Sequence, residues 1–503
     1  MSFFKKRDPL ADSQPHKRKD PKYPQPISSQ ALQAVFTDCD DFDLRLIDIG
    51  GKQSAQVYIC YIDGLVNGSE VSENVLRPLT ESSRFSEKDP AACIDAILQG
   101  AVYSYTVKRT DTMDALVSCL VNGFCAIVFN QQSCAVAFEV RTPNQRSISS
   151  PEIEKSIKGA KDAFIETLRV NTSLVRRKLR DSDLKIRQTI VGRRSATTVA
   201  VVYLQGIANP DTVQQIFQRL DKIDIDGLLS TGNLESYISD NPYSLFPQLL
   251  YTERSDKFCV NILEGRVGLL VDGLPLGFIL PAAFTEFIKV PEDLSQNFIV
   301  SSGLTLLRYV ALILTTLFPA VYVAVAMYHQ EMIPTKLLLS VIESKQQVPF
   351  STAAEVLGML ITFELLQEAG LRLPNPVGET VSIIGALIVG QSAVDAKVVS
   401  PIAVIVVAFA GISGYTMPNQ DFGAALRVCR FLIVFAAMIG GMFGVMIGFV
   451  LLIYHLCGLE SLGIPYMAPL SENGIGNTIL HRPIWKNKLR DQHLRTPNRR
   501  NQK

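Results

Sequence analysis

The stretch Tyr309–Tyr328, YVALILTTLFPAVYVAVAMY, decides how the rest of the chain is read. It holds no Asp, Glu, Lys or Arg, and ~20 mostly apolar residues are what a helix needs to cross the hydrocarbon core of a bilayer. Three more uncharged stretches follow: Thr380–Val394, Val398–Gln420 and Phe431–Leu459. Before residue 300 the chain is charged throughout and alternates helical with strand-like segments. The implied fold class is a soluble α/β amino-terminal region of two α/β subdomains, followed by an α-helical polytopic membrane domain.

The uncharged stretches differ in length. Thr380–Val394 reaches only ~22 Å as a helix, short of a ~30 Å core. It must take in neighbours such as Glu379 and Asp395 or be shielded by other helices. Phe431–Leu459 would reach ~44 Å, long enough to tilt or project. Between the first two stretches, Ala353–Leu366 is apolar but carries Glu355 and Glu364. It reads as an interfacial or re-entrant helix at 351–369, with a fifth crossing paired to a sixth as the alternative.

The net charge of +1 conceals two basic ends, with Lys5, Lys6, Arg7, Lys17, Arg18, Lys19 and Lys22 in one and Arg490, Arg495, Arg499 and Arg500 in the other. They lack the interleaved aromatics and folded platform of a nucleic-acid site, so no nucleic-acid partner is expected. Retention on the cytoplasmic side beside anionic lipid is the commoner cause, and it requires an even number of crossings. Four crossings satisfy this and leave 331–372 outside, where Glu331, Glu343, Glu355, Glu364 and Glu368 outnumber Lys336, Lys345 and Arg372. Residues 1–26 have no apolar signal region, and nine cysteines without a CxxC pair suit a reducing compartment.

Within the α/β region, Leu44–Ile49 and Gln56–Ile62 read as paired strands about Gly50-Gly51. Lys185–Val191, Thr197–Leu204 and the pair flanking Asp272-Gly273 read likewise. Pro151–Leu179 reads as helical, and Asp211–Leu220 as a helix capped by Asp211. A mixed sheet is expected in each subdomain. The divisions are a disordered basic arm (1–30), the subdomains (31–145 and 146–295), the membrane domain (296–460) and a basic tail (461–503).

Enzyme motifs are missing: Gly50-Gly51-Lys52 lacks the rest of a phosphate loop, and no HExxH, GxSxG or Cys/His metal spacing occurs. Neither catalysis nor a cofactor is expected. Thr380–Val394 is more informative. Ser382, Gly385, Val389 and Ser392 recur at helical spacing beside Gly390 and Gln391. Small residues on one face make a packing seam between helices. The same face, repeated around a ring, would wall a conduit with Val389 as a constriction gated by dewetting. Both readings stay open. Asp395 and Lys397 mark the edge of that span, and Arg308, Arg427 and Arg430 read as anchors reaching for headgroups.

Several segments carry a resemblance that runs in order from residue 42 to 490. They include YIDGLVNGSEVSENVLRPL (61–79), AFIETLRVNTSLVRRKLRD (163–181), YLQGIANP (203–210), EGRVGLLVDGLPLGFILPAAF (264–284), ELLQEAGLRLPNPVG (364–378) and ALIVGQSAVDAKVVSP (386–401). The chain resembles the A subunit of the GerA-type nutrient germinant receptors of endospore-forming bacteria. The resemblance implies a receptor subunit in the spore inner membrane, acting with a permease-like B subunit and a lipoprotein C subunit. It also implies a homo-oligomeric ring, a pentamer, that forms a nutrient-gated cation channel. Under that reading Thr380–Val394 is the best candidate for the pore wall. The rivals are a secondary transporter subunit, or an α/β binding module merely anchored in the membrane. No catalytic or nutrient-contact residue is carried over.

Overall fold

The computed structural model describes residues 21–49, 56–81, 85, 90–102, 106–142, 151, 154, 159–372, 389–473, 479–480, 483 and 488–501. The first five-stranded sheet is built from β1 (Phe42–Asp48), β2 (Gln56–Ile62), β3 (Val107–Thr110), β4 (Phe124–Phe129) and β5 (Cys134–Glu139). The second uses β6 (Leu184–Val191), β7 (Thr197–Leu204), β8 (Leu250–Thr252), β9 (Val267–Val271) and β10 (Gly277–Leu280). Their orders are β1-β2-β4-β5-β3 and β6-β7-β9-β10-β8, so both units repeat one topology.

Every pairing within the two sheets is antiparallel, which corrects the expectation of mixed sheets. The reason is a split crossover. Strands β3 and β4 run the same way and are joined through a helix, but β5 lies between them and opposes both. The helix–strand alternation is a real crossover signal whose parallel partners are held apart by an inserted hairpin strand.

Helices cover both faces of each sheet. On the first, α1 (Ser29–Val35) and α2 (Met113–Val121) bury Leu32, Leu116 and Leu120 against Cys60, Ala126 and Ala137. Helical residues within 71–101 cover the other face through Val75, Leu79 and Ile97. On the second, α3 (Leu168–Lys178) lies on the face of Ala200 and Val202. Next on the opposite face come α4 (Pro210–Asp221) and α5 (Thr231–Ile238), over Val199 and Val201, while α6 (Ser255–Glu264) returns to the face of α3. The alternation of Val199 to Leu204 between the two cores is the period-two signature of a doubly covered strand.

Three local expectations change. In the described part of 151–179 the helix occupies only Leu168–Lys178; Ala163 bridges Arg254 and Phe164 N donates to Glu253 O, so strand-like tertiary pairing overrides helix propensity there. Asn209, not Asp211, caps α4: its side chain accepts from Asp211 N, with Pro210 in the first turn. The end of the basic arm lies on the first unit, where Lys22 N and Tyr23 N donate to the Asp114 carboxylate and Ile27 is buried.

The two units are joined through a buried ion pair. Arg176 on α3 donates from Nε and Nη2 to the two oxygens of Asp41 at 2.7 and 2.8 Å, and from Nη1 to Leu184 O at 2.9 Å. Asp40 N donates to Ile186 O alongside.

The second unit leads through the cap Asn297 into α7 (Phe298–Tyr328), followed by α8 (Thr335–Lys345), α9 (Thr352–Arg372), α10 (Pro401–Tyr415) and α11 (Gln420–Gly458). Ala320, Val323 and Ala324 of α7 form one core with Val356 and Leu360 of α9, Ala403 and Val407 of α10, and Ile433, Val434 and Val445 of α11. Helix α9 is therefore packed against three others.

Helix α11 is not one rod. Gly441 has φ 57° and ψ −139°, outside helical space. In a straight helix Ala436 and Gly444 would stand ~12 Å apart. Here a Cβ on Gly444 would come within 2.0 Å of Ala436 O, and one on Gly448 within 3.2 Å of Ile433 Cγ1. The chain turns at Gly440-Gly441 and returns as a second leg. Tyr328, at the end of α7, closes the turn by donating to Met438 O at 2.6 Å. Both feet reach the second unit, since Phe422 and Leu456 enter its core with Phe246, Phe284 and Phe287. Phe287 stacks on Phe422 at 5.7 Å. Beyond the second foot, Tyr466 is fully buried in the same core, and Arg490 donates from Nε to Leu263 O at 2.8 Å.

Candidate functional site

Of the candidate pore residues, Ser382 and Gly385 lie outside the described residues. Residues 389–395 are helical. Gly390 is buried against α10, where a Cβ would stand 3.5 Å from Val404 Cγ1. Val389, Gln391 and Ser392 are exposed in the single chain. Gln391 Nε2 donates to Asp395 Oδ1 at 3.0 Å, one turn on. Asp395 and Lys397 are exposed, and Lys397 takes a left-handed φ of 56° just before α10 begins. One side of this helix is thus a packing seam and another is uncovered by its own chain.

The arginines read as headgroup anchors have protein partners. Arg308 forks onto Asp293, Nη1 to Oδ2 at 2.6 Å and Nη2 to Oδ1 at 2.9 Å, and so ties the foot of α7 to the Pro291–Leu294 turn. Arg430 is paired with Glu364 of α9, and Arg427 Nε lies 3.3 Å from the other oxygen of that carboxylate. A charged group away from water survives by pairing, so Glu364 and the two guanidinium groups fix α9 against the first leg of α11.

At the opposite end of α9, the Glu355 side chain is fully buried. Its Oε2 accepts from Ser400 N at 2.9 Å, which places a carboxylate at the positive end of α10. Lys345 Nζ lies 3.6 Å from Oε1. Both glutamates are visible as charges in an apolar segment, but their partners come from distant parts of the chain. Among the described residues, no group of His, Cys, Asp and Glu has the arrangement to hold a metal ion.

Among the described residues two helices, α7 and α11, are long and apolar enough to cross a membrane, with mean hydropathy 2.2 and 2.4. The profile of the Bacillus/Clostridium GerA spore germination protein matches residues 30–493, across both α/β units and the helical half. The chain belongs to the GerA spore germination family. Spore germination protein KA of Bacillus subtilis (strain 168) is 35% identical over 457 residues, covering 90% of this chain and 84% of the relative. The uncharacterized membrane protein YfkQ of the same organism is 34% identical over 459 residues, covering 90% and 88%. The crystal structure of the N-terminal domain of the A subunit of the Bacillus megaterium spore germinant receptor GerK3 is 29% identical and covers 52% of this chain and 96% of that one, at a TM-score of 0.40.

The GerA match ends at His493, a residue that sequence reading passed over. His493 is 3% exposed and neither ring nitrogen has a hydrogen-bond partner among the described residues. Burial first, and then the Arg266 guanidinium, push its imidazole down to about 4. Asp491 and Glu286 pull the other way, and Lys289 adds to the downward push. The docked form therefore holds a neutral ring, whereas the undocked segment takes up a proton below about 6.5. Docking is at full strength above that pH and weakens by up to ~3 kcal/mol as pH falls towards the folded value. The protection factors of amides in 488–501, taken relative to intrinsic exchange at each pH, are expected to fall between pH 7.5 and pH 5, and His493→Gln is expected to flatten that dependence.

Proposed function

We propose that this GerA-family chain is the A subunit of a germinant receptor in the spore inner membrane, and that it forms the wall of a nutrient-gated cation conduit. The observation that carries the reading is the course of the helices. Feet at Phe422 and Leu456 stand on the second α/β unit, while Tyr328, Gly441 and Ser400 lie at the far end. This supports six crossings rather than four: α7, α9, the uncharged stretch Thr380–Val394 read from sequence, α10 and the two legs of α11. The 21 residues of α9 give it ~31 Å, a crossing length, and favour the fifth-and-sixth-crossing alternative over an interfacial helix. An even number leaves both α/β units and the carboxyl-terminal segment on one side, the cytoplasmic one.

In this reading the helix 389–395, the described end of the stretch Thr380–Val394, faces the conduit. Gly390 provides its seam with α10, and Val389, Gln391 and Ser392 are left for water or for a neighbouring copy. A ring of such copies, a pentamer by family resemblance, would close the wall. The permease-like B subunit would supply nutrient recognition, with the lipoprotein C subunit as a further partner. Replacing Val389 with alanine is expected to widen the constriction and release monovalent cations from spores without nutrient. Release that stays strictly nutrient-dependent at normal protein level would place the gate elsewhere. Flux from the reconstituted complex separates the rivals: gated and non-stoichiometric for a channel, coupled uptake for a transporter, none for an anchored binding module.

A further inference from the structure

The second α/β unit presents one loop that its own packing does not explain. Residues 239–247 join α5 to the approach of β8 and are braced from beneath by Gln248, which is 2% exposed. Its Oε1 accepts from Asp240 N at 2.9 Å and Asn241 N at 3.0 Å, and its Nε2 donates to Asn241 O at 2.6 Å. A loop held this firmly nonetheless exposes 96% of Tyr243 and 49% of Leu245. Such bracing fixes the place of an aromatic side chain that touches almost nothing.

That place is the foot of α11. Ser244, between the two exposed side chains, shares a hydrogen bond of 3.0 Å with His455 Nε2. Phe246 packs against the rings of His455 and Phe422, at 6.1 and 5.8 Å. It belongs to the same buried cluster as Ala311, which lies just past the start of the uncharged run of α7 at Tyr309. Tyr243 is three residues from Phe246, no more than ~11 Å along the chain. Around His455 the return leg of α11 exposes Tyr454, its chain neighbour, and Leu451, one turn earlier, by 78% and 60%. The loop thus meets that leg at His455, at the level where charged protein gives way to uncharged helix.

We infer that Tyr243 and Leu245 form a lipid-contact loop, by which the second α/β unit rests on the interfacial zone of the bilayer. A tyrosine suits that zone because its ring partitions among acyl ends while its hydroxyl stays hydrated. Together with Arg308–Asp293 and the two feet of α11, this contact holds the unit at a set height against the membrane. The inference rests on the membrane-spanning reading above.

Fluorescence tests the two separately. The sole tryptophan is removed by Trp485→Phe, and the full chain carrying Tyr243→Trp is reconstituted in phosphatidylcholine–phosphatidylglycerol vesicles, with or without lipids brominated near the glycerol end of the acyl chain. Phe435→Trp, at a 58% exposed position on the first leg of α11, serves as the membrane reference. Both variants are expected to lose about half their emission to the brominated lipid, as interfacial and lipid-facing rings do. Quenching at 435 but not at 243 would overturn the loop assignment and leave the crossings intact. Protection of 243 from aqueous iodide without bromolipid quenching would place a protein surface there instead and also overturn it. No quenching at either position would remove the membrane-spanning reading and this inference with it.

Discussion

A Gly441→Val chain is expected to lose the return leg of α11. At φ 57° and ψ −139° the residue occupies backbone space that an L side chain enters only at a cost of about 1–3 kcal/mol, more when β-branched. The added Cβ would also stand 3.1 Å from the Tyr328 side chain, which closes the turn. The alternative is a continuous helix, and 39 residues would reach ~58 Å, about twice a bilayer core. Cys457 reports the outcome directly. It is the one exposed thiol among the described cysteines and sits at the foot of the return leg. In the parent chain an impermeant maleimide is expected to reach it from the side of the α/β units only. In Gly441→Val it is expected to be labelled from the opposite side, or the protein to disappear from the membrane fraction. Gly440→Ala is the control, because nothing lies within 4 Å of its added Cβ. Unchanged labelling in both variants would mean that the turn does not need glycine.

The second large effect is expected at Arg176–Asp41. Both side chains are buried, at 1% and 5% exposure, and the guanidinium also donates from Nη1 to Leu184 O. Removing one partner strands a charge away from water, which costs about 3–5 kcal/mol. Asp41→Ala and Arg176→Ala are each expected to lower the denaturant midpoint sharply and to open the junction of the units to protease. The joint change Asp41→Leu with Arg176→Met removes both charges and is expected to recover most of the loss, since an apolar pair of similar volume forgoes the desolvation penalty. Single variants with parental midpoints would show that water reaches the pair.

Hydropathy and turn chemistry make much of this fold legible. The hairpins about Asp272-Gly273 and between Lys185 and Leu204 follow from β-branched alternation and turn residues alone. Sheet order does not, because alternating helices and strands cannot say which strand is inserted between two others. The turn in α11 was hidden for another reason. Gly440-Gly441 lies inside an apolar run, where glycine equally marks close helix packing, and hydropathy carries no information about φ. Arg308 and Arg430 look like anchors because their carboxylates lie 15 and 66 residues away in sequence. The candidate pore face is legible only as a pattern of small residues. The structure adds that Gly390 lies against Val404 while Val389, Gln391 and Ser392 are exposed in the single chain.

Because α11 folds back on itself, the helical half is joined to the second α/β unit both where α7 leaves it and where Leu459 and Tyr466 re-enter its core. Mechanically it is a handle fixed at both ends, not a mast fixed at one. A handle cannot swing away from its base. It can only shear, leg against leg, or tilt as a piece with the plate that carries it. Motion within the helical half is then sliding of its helices past one another, and the Glu364–Arg427–Arg430 clasp lies across the plane between α9 and the first leg of α11.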